Sequence, residues 1–558
     1  MKKFLNKKSI LIASIILVGI TFFSFKGDNR NFRIAKNLDI FNSIYKEVEM
    51  FYVDTINPDE VIREGIDAML MKLDPYTNYF PEEDMSDLKF MTTGKYGGIG
   101  SIISYHKTKN RVVINEPYIG MPAAKVGLKA GDMLMELDGK DLKGKAVGEV
   151  STMLKGEVGT SFLLKVERPG EKKPLSFKIT REAIQLKSVP YYGMVGKTGY
   201  ILLTQFTEGC AKEVRNAVIA LKKQGATSMV LDLRNNGGGL MNEAVDIVNL
   251  FVPRGKEIVS TKGRARQSVN VSKTTREPLD TDIPLAVLVN SSSASASEIV
   301  AGALQDLDRG VIVGTRTYGK GLVQNVRDLP YGGSLKVTTA KYYIPSGRCI
   351  QAIDYAHRNE DGSVGRIPDS LTTVFHTAAG REVRDGGGVT PDLEVKADKL
   401  SNILFYLMNE NIIFDFATDY CLKHPSIAPI ESFKLADTDY EDFKARVKKT
   451  DFKYDRQSEK LLKNLKEVAE FEGYSEDAAE EFKALEKKLT HNLDHDLGYF
   501  AKDIKKLISL EIVKRYYYQQ GVIIEQLKSD NELKEAMKLL GDATKYQKTL
   551  AVAIKSTK

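Results

Sequence analysis

The strongest constraint on the fold is an alternation of short apolar runs and amphipathic stretches between residues 186 and 398. Gly199 to Phe206 reads as a strand. Val214, Ala217, Val218 and Leu221 then stand at i, i+3, i+4 and i+7 of a helix that stops near Gly225. Met229 to Leu233 is a buried strand, and it runs into Arg234-Asn235-Asn236-Gly237-Gly238-Gly239. A helix with Ala244, Val245, Val248 and Phe251 on its inner face follows. Leu285 to Val289 is another buried strand, Glu298 to Leu307 a helix, Val311 to Val313 a strand, and Ser334 to Ile344 a long β segment. Strands alternating with helices build an α/β core.

A chain of 558 residues exceeds one domain, and its 42% hydrophobic and 28% charged composition is that of a globular protein. Residues 34–90 read as helical. Asn57-Pro58-Asp59-Glu60 is a strong helix start, Val61, Ile62, Ile66, Met69, Leu70 and Leu73 keep one apolar face, and Asp74-Pro75 closes it. Residues 91–185 change texture. Tyr96-Gly97-Gly98-Ile99-Gly100 enters a strand, Pro122 to Asp132 reads as a short helix ended by glycine, Asp138-Gly139 is a hairpin turn, and Phe162 to Arg168 is a further strand. This order, with the strings "PAAKVGLKAGD" and "ELDG", resembles a PDZ domain. Residues 399–558 are rich in Lys, Glu and Leu, with apolar stripes at Ile504–Ile512, Leu461–Val468 and Leu485–Leu489, and read as a helical extension whose stripes are packing faces.

Residues 1–33 carry an address. Lys2, Lys3, Lys7 and Lys8 precede an uncharged apolar run from Ser9 to Phe25. A basic flank before such a run is an export signature, and it reads as a signal anchor or a signal peptide. The remainder is then expected on the periplasmic side of a bacterial cytoplasmic membrane, anchored through that segment or released by signal cleavage. Lys+Arg 81 against Asp+Glu 74 leaves a net charge of +7 with no basic block beyond the N-terminus, which argues against nucleic-acid binding. The three cysteines lie far apart, leaving room for one disulfide but for no zinc site; no ligand spacing implies a metal, and no cofactor is expected.

The chemistry centres on Asn290-Ser291-Ser292-Ser293-Ala294-Ser295-Ala296-Ser297-Glu298, which joins a buried strand to a helix. A serine on such a turn lies beside free helix N–H groups, where a nucleophile finds an oxyanion hole. The same serines would also serve as a polar loop with a helix cap. A hydroxyl nucleophile needs a proton acceptor, and none of the six histidines lies between residues 186 and 350. A lysine serves if burial depresses its pKa, and Lys320, between Gly319 and Gly321 after an apolar strand, is the candidate. The string Gly314 to Lys320 also satisfies G-x-x-x-x-G-K, but Gly321 replaces the magnesium-binding Ser/Thr and Leu322–Val326 alternates like a strand. A phosphate loop is rejected.

The chain resembles the carboxy-terminal processing peptidases, or tail-specific proteases. The matching strings are "LDPYTNYF" (73–80), "YGGIG" (96–100), "LDLRNNGGGL" (231–240), "SASASEIVAGALQD" (293–306), "TYGKGLVQ" (317–324), "AKYYIPSGR" (340–348) and "GVTPD" (388–392). The resemblance implies a multidomain α+β chain: a helical N-terminal segment, a PDZ-like β domain, an α/β core similar to the crotonase and Clp-protease folds at 186–398, and a helical C-terminal extension. It implies a serine endopeptidase that cuts exported proteins near their C-termini. Ser295 would be the nucleophile, Lys320 the base and Gln324 its orienting partner. Ala296 and Gly238 would supply the oxyanion-hole N–H groups, with Arg234 and Asn235 shaping the turn. Gly98, Ile99, Gly100 and Ile102 would hold the substrate's C-terminal carboxylate and terminal side chain, glycine-loop N–H groups forming an anion nest.

The partners implied are proteins or peptides with free C-termini, together with a homo-oligomer built through the C-terminal helices. Residues 352–377 read as an inserted loop outside the family pattern. The competing class is a periplasmic PDZ scaffold that binds C-termini without cutting, and the joint presence of Ser295, Lys320 and Gln324 speaks against it.

Overall fold

The computed structural model describes residues 29–359, 362–396, 400–489 and 492–551. The apolar run from Ser9 to Phe25 lies outside them. Among the described residues no helix is long and apolar enough to cross a membrane. The chain divides into two compact units, one ending at Tyr79 and one beginning at Phe80.

The first unit holds helices Asn29–Phe51 and Pro58–Met71. Asn57 caps the second, its side chain accepting the Asp59 N–H at 3.1 Å, with Pro58 in the first turn where a missing N–H costs nothing. Asp74 then accepts the N–H groups of Tyr76 and Thr77, each at 2.8 Å, so the carboxylate as well as the proline fixes this turn. The segment 80–90 belongs with the second unit, where Met85–Thr93 is a helix.

In the second unit, strands Ser101–His106, Arg111–Pro117, Met133–Leu137, Ser161–Glu167 and Leu175–Thr180 form an antiparallel sheet in chain order. Val112, Ile114, Leu134, Leu164, Val166 and Ile179 make its core. Asp138 (φ 48°) and Gly139 (φ 78°) both lie in the left-handed region, as a two-residue hairpin turn requires. Lys95–Gly98 pairs antiparallel with Glu182–Gln185, zipping together the chain's entry to and exit from this domain.

The α/β core has a six-stranded sheet in the order Tyr191–Val195, Thr198–Leu202, Ser228–Asp232, Leu285–Val289, Val311–Gly314 and Leu393–Glu394, all parallel except the first. Parallel strands are buried on both faces. The pleat sends Leu231, Val287 and Ile312 toward helices Cys210–Lys223, Met241–Val248 and Ala296–Asp306. It sends Val230, Ala286, Leu288, Val311 and Val313 to the opposite face, which Ile523, Leu533, Ala536, Leu539 and Tyr546 of the C-terminal region cover. The C-terminal extension is therefore the second layer of the core. Its helices Asn402–Asn409, Ile412–Lys423, Asp437–Lys449 and Ala501–Leu527 also share a core of their own around Phe416, Phe443, Ile504, Ile508 and Ile512. The Leu461–Val468 stripe departs from the expected packing: Leu461, Leu465 and Val468 on helix Gln457–Phe471 are exposed, and Leu462 and Ala469 are its buried residues.

The extension also grips the PDZ-like domain. His106 Nε2 lies 2.9 Å from Asp415 Oδ1, Lys514 Nζ donates to Asn115 Oδ1 at 2.8 Å, and Gln519 Nε2 donates to Glu116 Oε2 at 3.2 Å. The described part of 352–377 holds strands where the sequence reads as a loop: Ile353–Arg358 pairs with Val364–Arg366, and Val374–His376 with Glu382–Arg384. All three cysteines are free, so the disulfide that composition allowed is not made.

Candidate active site

Ser295 stands at the N-cap of helix Ala296–Asp306, directly after the turn leaving strand Leu285–Val289. Its backbone sits at φ 56°, ψ −114°, a conformation that costs a non-glycine residue ~1–3 kcal/mol. The surroundings over-determine it. Ser293 Oγ donates to the Leu233 carbonyl at 2.8 Å, and Ser297 Oγ to the Asn236 carbonyl at 2.8 Å; both serines are buried. They pin the turn, which leaves Ser295 as the member of the trio that borders a cleft.

That cleft, of about 400 Å³, is lined by Gly238, Gly239, Ser295, Lys320, Gln324 and Tyr342. Lys320 arrives on the loop that follows strand Val311–Gly314, and the hairpin Leu322–Asp328/Ser334–Tyr343 begins just beyond it. No helix follows Lys320, as the rejection of a phosphate loop requires. The flanking glycines answer to crowding: a Cβ on Gly319 would meet the Ala352 Cβ at 2.3 Å, and one on Gly321 would meet the Gln351 backbone N at 2.8 Å. Gln324 pairs with Thr338 across the hairpin and donates its Nε2 to Thr338 Oγ1 at 3.1 Å.

The 237–239 turn closes over the serine. A Cβ on Gly238 (φ 97°) would fall 2.7 Å from Ser295 Cβ and 2.9 Å from the Ala296 N, so only glycine allows this approach. The Gly238 N–H itself donates to Asn236 Oδ1 at 2.9 Å. In the first helical turn the N–H groups of Ser297, Glu298 and Ile299 donate to the Ala294 and Ser295 carbonyls. Ala296 N–H is the remaining amide at that end.

The PDZ-side residues form a separate group. Gly98 and Gly100 are buried, and Gly100 (φ 67°) packs so tightly that a Cβ would meet Met121 at 2.5 Å. Ile99, expected to line a pocket for a terminal side chain, is instead 4% exposed and packs into the PDZ core. It sits on the link between strands Lys95–Gly98 and Ser101–His106, and Ile102 is half-buried on the second of them. In the sheet that strand is an edge, paired with Arg111–Pro117 on one side.

Over residues 197–357 the sequence matches the family described as Peptidase family S41, and over 113–168 a PDZ domain. Residues 403–540 match "Probable PDZ-protease, C-terminal helical domain". Over 322 residues the chain is 39% identical to the carboxy-terminal-processing protease of Bartonella bacilliformis, covering 57% of this chain and 73% of that protein. The chain belongs to the carboxy-terminal processing peptidases.

It is also 36% identical over 344 residues to a "Probable CtpA-like serine protease" of Staphylococcus aureus, across 61% of this chain and 68% of the relative. Among solved structures it is similar to a photosystem II D1 C-terminal processing protease, at 28% identity, a TM-score of 0.35, and coverage of 63% and 86% of the two chains. The PDZ domain of a Vibrio cholerae carboxy-terminal protease, solved in complex with peptide, is similar at 27% identity and a TM-score of 0.16, covering 16% and 99%. This carboxy-terminal processing peptidase is a multidomain serine peptidase with a PDZ domain, an S41 peptidase region and a C-terminal helical domain.

Sequence reasoning passed over two residues that hold the peptidase's cleft together. Glu298 is fully buried, and its Oε2 accepts the N–H groups of Ser295 (2.9 Å) and Lys320 (2.8 Å). Its Oε1 accepts from Gly319 N at 2.7 Å and Thr317 Oγ1 at 2.5 Å. Burial pushes this carboxyl above its ordinary range, opposed by the four donors. The signal was available, since Ser295-x-x-Glu298 is the capping-box pattern, in which the third helical residue reaches back to the cap N–H. Tyr342, at the end of the hairpin, sets its hydroxyl between the carbonyl oxygens of Ser295 (3.1 Å) and Lys320. No local signal marks it.

Proposed function

We propose that this chain is an exported endopeptidase that cleaves proteins near their C-termini through a Ser295–Lys320 dyad. The observation that carries this reading is the single Glu298 carboxylate that binds the backbones of both residues at one cleft. Lys320, as the free amine, takes the proton of Ser295 Oγ as that oxygen attacks the scissile carbonyl carbon. The tetrahedral oxyanion collapses with the proton passing from Lys320 to the leaving amine, and water then hydrolyses the acyl-serine by the same route reversed. Gln324 Oε1 accepts from Lys320 Nζ and orients it. Ala296 N–H is one oxyanion donor. Gly238 N–H becomes the second on releasing Asn236 Oδ1. Residues 91–185 present the edge strand Ser101–His106 and the 98–101 amides to a substrate's C-terminal segment, by strand addition. The core follows the crotonase and Clp-protease plan over 186–398.

The basic flank and apolar run before residue 26 support export to the periplasmic side of the membrane. The exposed Leu461, Leu465 and Val468 supply a face for a second copy, which a sedimentation profile would detect. The test of the central reading is incubation of the purified chain with an unstructured protein. Progressive loss of full-length substrate, absent with Ser295→Ala, is expected. Equal cleavage by that variant would remove Ser295 from the chemistry.

A further inference from the structure

A cluster of one arginine and three carboxylates lies behind the catalytic turn. Arg234, the first residue after strand Ser228–Asp232 and its neighbour Leu233, has a side chain only 14% exposed. Its Nε donates to Asp232 Oδ1 at 3.0 Å, and Tyr200 OH donates to Asp232 Oδ2 at 2.7 Å. Two further carboxylates come from almost three hundred residues away: Arg234 Nη2 donates to Asp530 Oδ2 at 2.6 Å, and Nη1 to Glu532. Asp530 also caps helix Asn531–Leu540 by accepting the Leu533 N–H at 2.9 Å. Asp232 alone would neutralise the guanidinium. Adding two half-buried carboxylates is a poor route to stability, because desolvation offsets the Coulomb gain. Burial, with Asp530 and Asp232 alongside, pushes the Glu532 carboxyl up despite Arg234.

The turn after Arg234 runs straight to the serine. Asn235 (φ 59°) exchanges hydrogen bonds with Asn290: its N–H donates to Asn290 Oδ1 at 3.0 Å, and Asn290 Nδ2 donates to its Oδ1 at 2.9 Å. The Asn236 carbonyl accepts from Ala294 N at 3.0 Å and Ser297 Oγ at 2.8 Å, and Asn236 Oδ1 holds the Gly238 N–H. Moving Arg234 therefore moves the residues that set Gly238 against Ser295. We propose that Asp530 and Glu532 of the C-terminal helical domain are positioning residues for the catalytic cleft, acting through Arg234. This rests on the Ser295 peptidase reading. The helical domain then completes the active site instead of only covering the sheet.

The test uses the full chain with Asp530→Asn and Glu532→Gln together. Asparagine keeps the helix cap while removing the charge. The expected result is a kcat lower by roughly 10- to 100-fold, the scale of small misplacements at a reacting centre, with KM for a peptide substrate nearly unchanged. Glu532→Asp, which retains a carboxylate, is expected to recover part of the rate. Because the double variant is also expected to lose stability, kcat is referred to active-site-titrated protein, and Arg234→Lys is measured alongside as a milder change at the hub. A lowered Tm with wild-type kcat per folded molecule in both variants would overturn the proposal. If wild type cleaves in a Ser295-dependent way and the variants match it, only this proposal fails; if wild type shows no Ser295-dependent cleavage, the underlying reading fails first.

Discussion

The backbone N–H of Lys320 donates to Oε2 of Glu298 at 2.8 Å, across 22 residues of chain. Because the same oxygen takes the Ser295 N–H, one buried carboxylate spaces the two loops that carry the proposed chemistry.

Glu298→Gln tests that spacing. Glutamine offers one oxygen and turns an NH2 toward N–H donors, leaving buried donors unpaired at about 1–3 kcal/mol each. Cleavage is expected to fall at least 10-fold and the melting temperature to drop, as followed by peptide hydrolysis and calorimetry. Wild-type activity in this variant would show that the spacing is held elsewhere.

Lys320→Arg is expected to abolish cleavage while circular dichroism stays native. A guanidinium does not release its proton in a protein, whereas a general base must. Appreciable turnover by the arginine variant would end the dyad.

Gly238→Ala places a methyl group at φ 97° against Ser295 Cβ and the Ala296 N. Activity is expected to fall by ~100-fold or more, the order seen when an oxyanion donor is lost. Gly237→Ala, where a Cβ meets nothing within 4 Å, is the control expected to retain most activity.

Amidating the C-terminus of a peptide substrate removes the charge that the 98–101 amides would receive. A charge-assisted contact is worth ~1.5–3 kcal/mol, so capture is expected to weaken by roughly 10- to 150-fold, read as KM, with less change in kcat. Equal efficiency for acid and amide would place substrate selection outside the PDZ domain.

Glu116 gives the pH dependence a direction. Burial at the seam with helix Ala501–Leu527 pushes its carboxyl up, against Lys514 and Gln519, and its Oε1 has no hydrogen-bond partner among the described residues. A folded-state pKa above the unfolded value means that the folded protein holds the extra proton. This contribution to stability is complete below the ordinary glutamate pKa of ~4.3 and is lost as pH rises through the folded value. The melting temperature of Glu116→Gln, compared with wild type across about pH 4 to 8, should show a shallower decline. Parallel curves would remove Glu116 from the linkage.

Much of this was legible from local pattern. The apolar runs at 229–233 and 285–289 announced buried strands, because such segments leave water in any fold. Glycines at 238, 319 and 321 stood where backbone approach forbids a Cβ, and the Asn57-Pro58 start and the Asp138-Gly139 turn depend on neighbours in sequence alone. Ser295, Lys320 and Gln324 were singled out by type and motif, and the fold brings all three to one cleft. What the sequence could not determine is everything that depends on residues far apart. Ile99 turns into the PDZ core on the link between two strands, where its carbonyl takes the Ala123 N–H from a helix more than twenty residues on. The C-terminal helices looked like an appendage, since an amphipathic stripe does not say what it covers; only the folded sheet, apolar on both sides, demanded them. Asp530 and Glu532 reach Arg234 for the same reason: buried charges find partners in space, and chain separation leaves no trace of the pairing in local sequence.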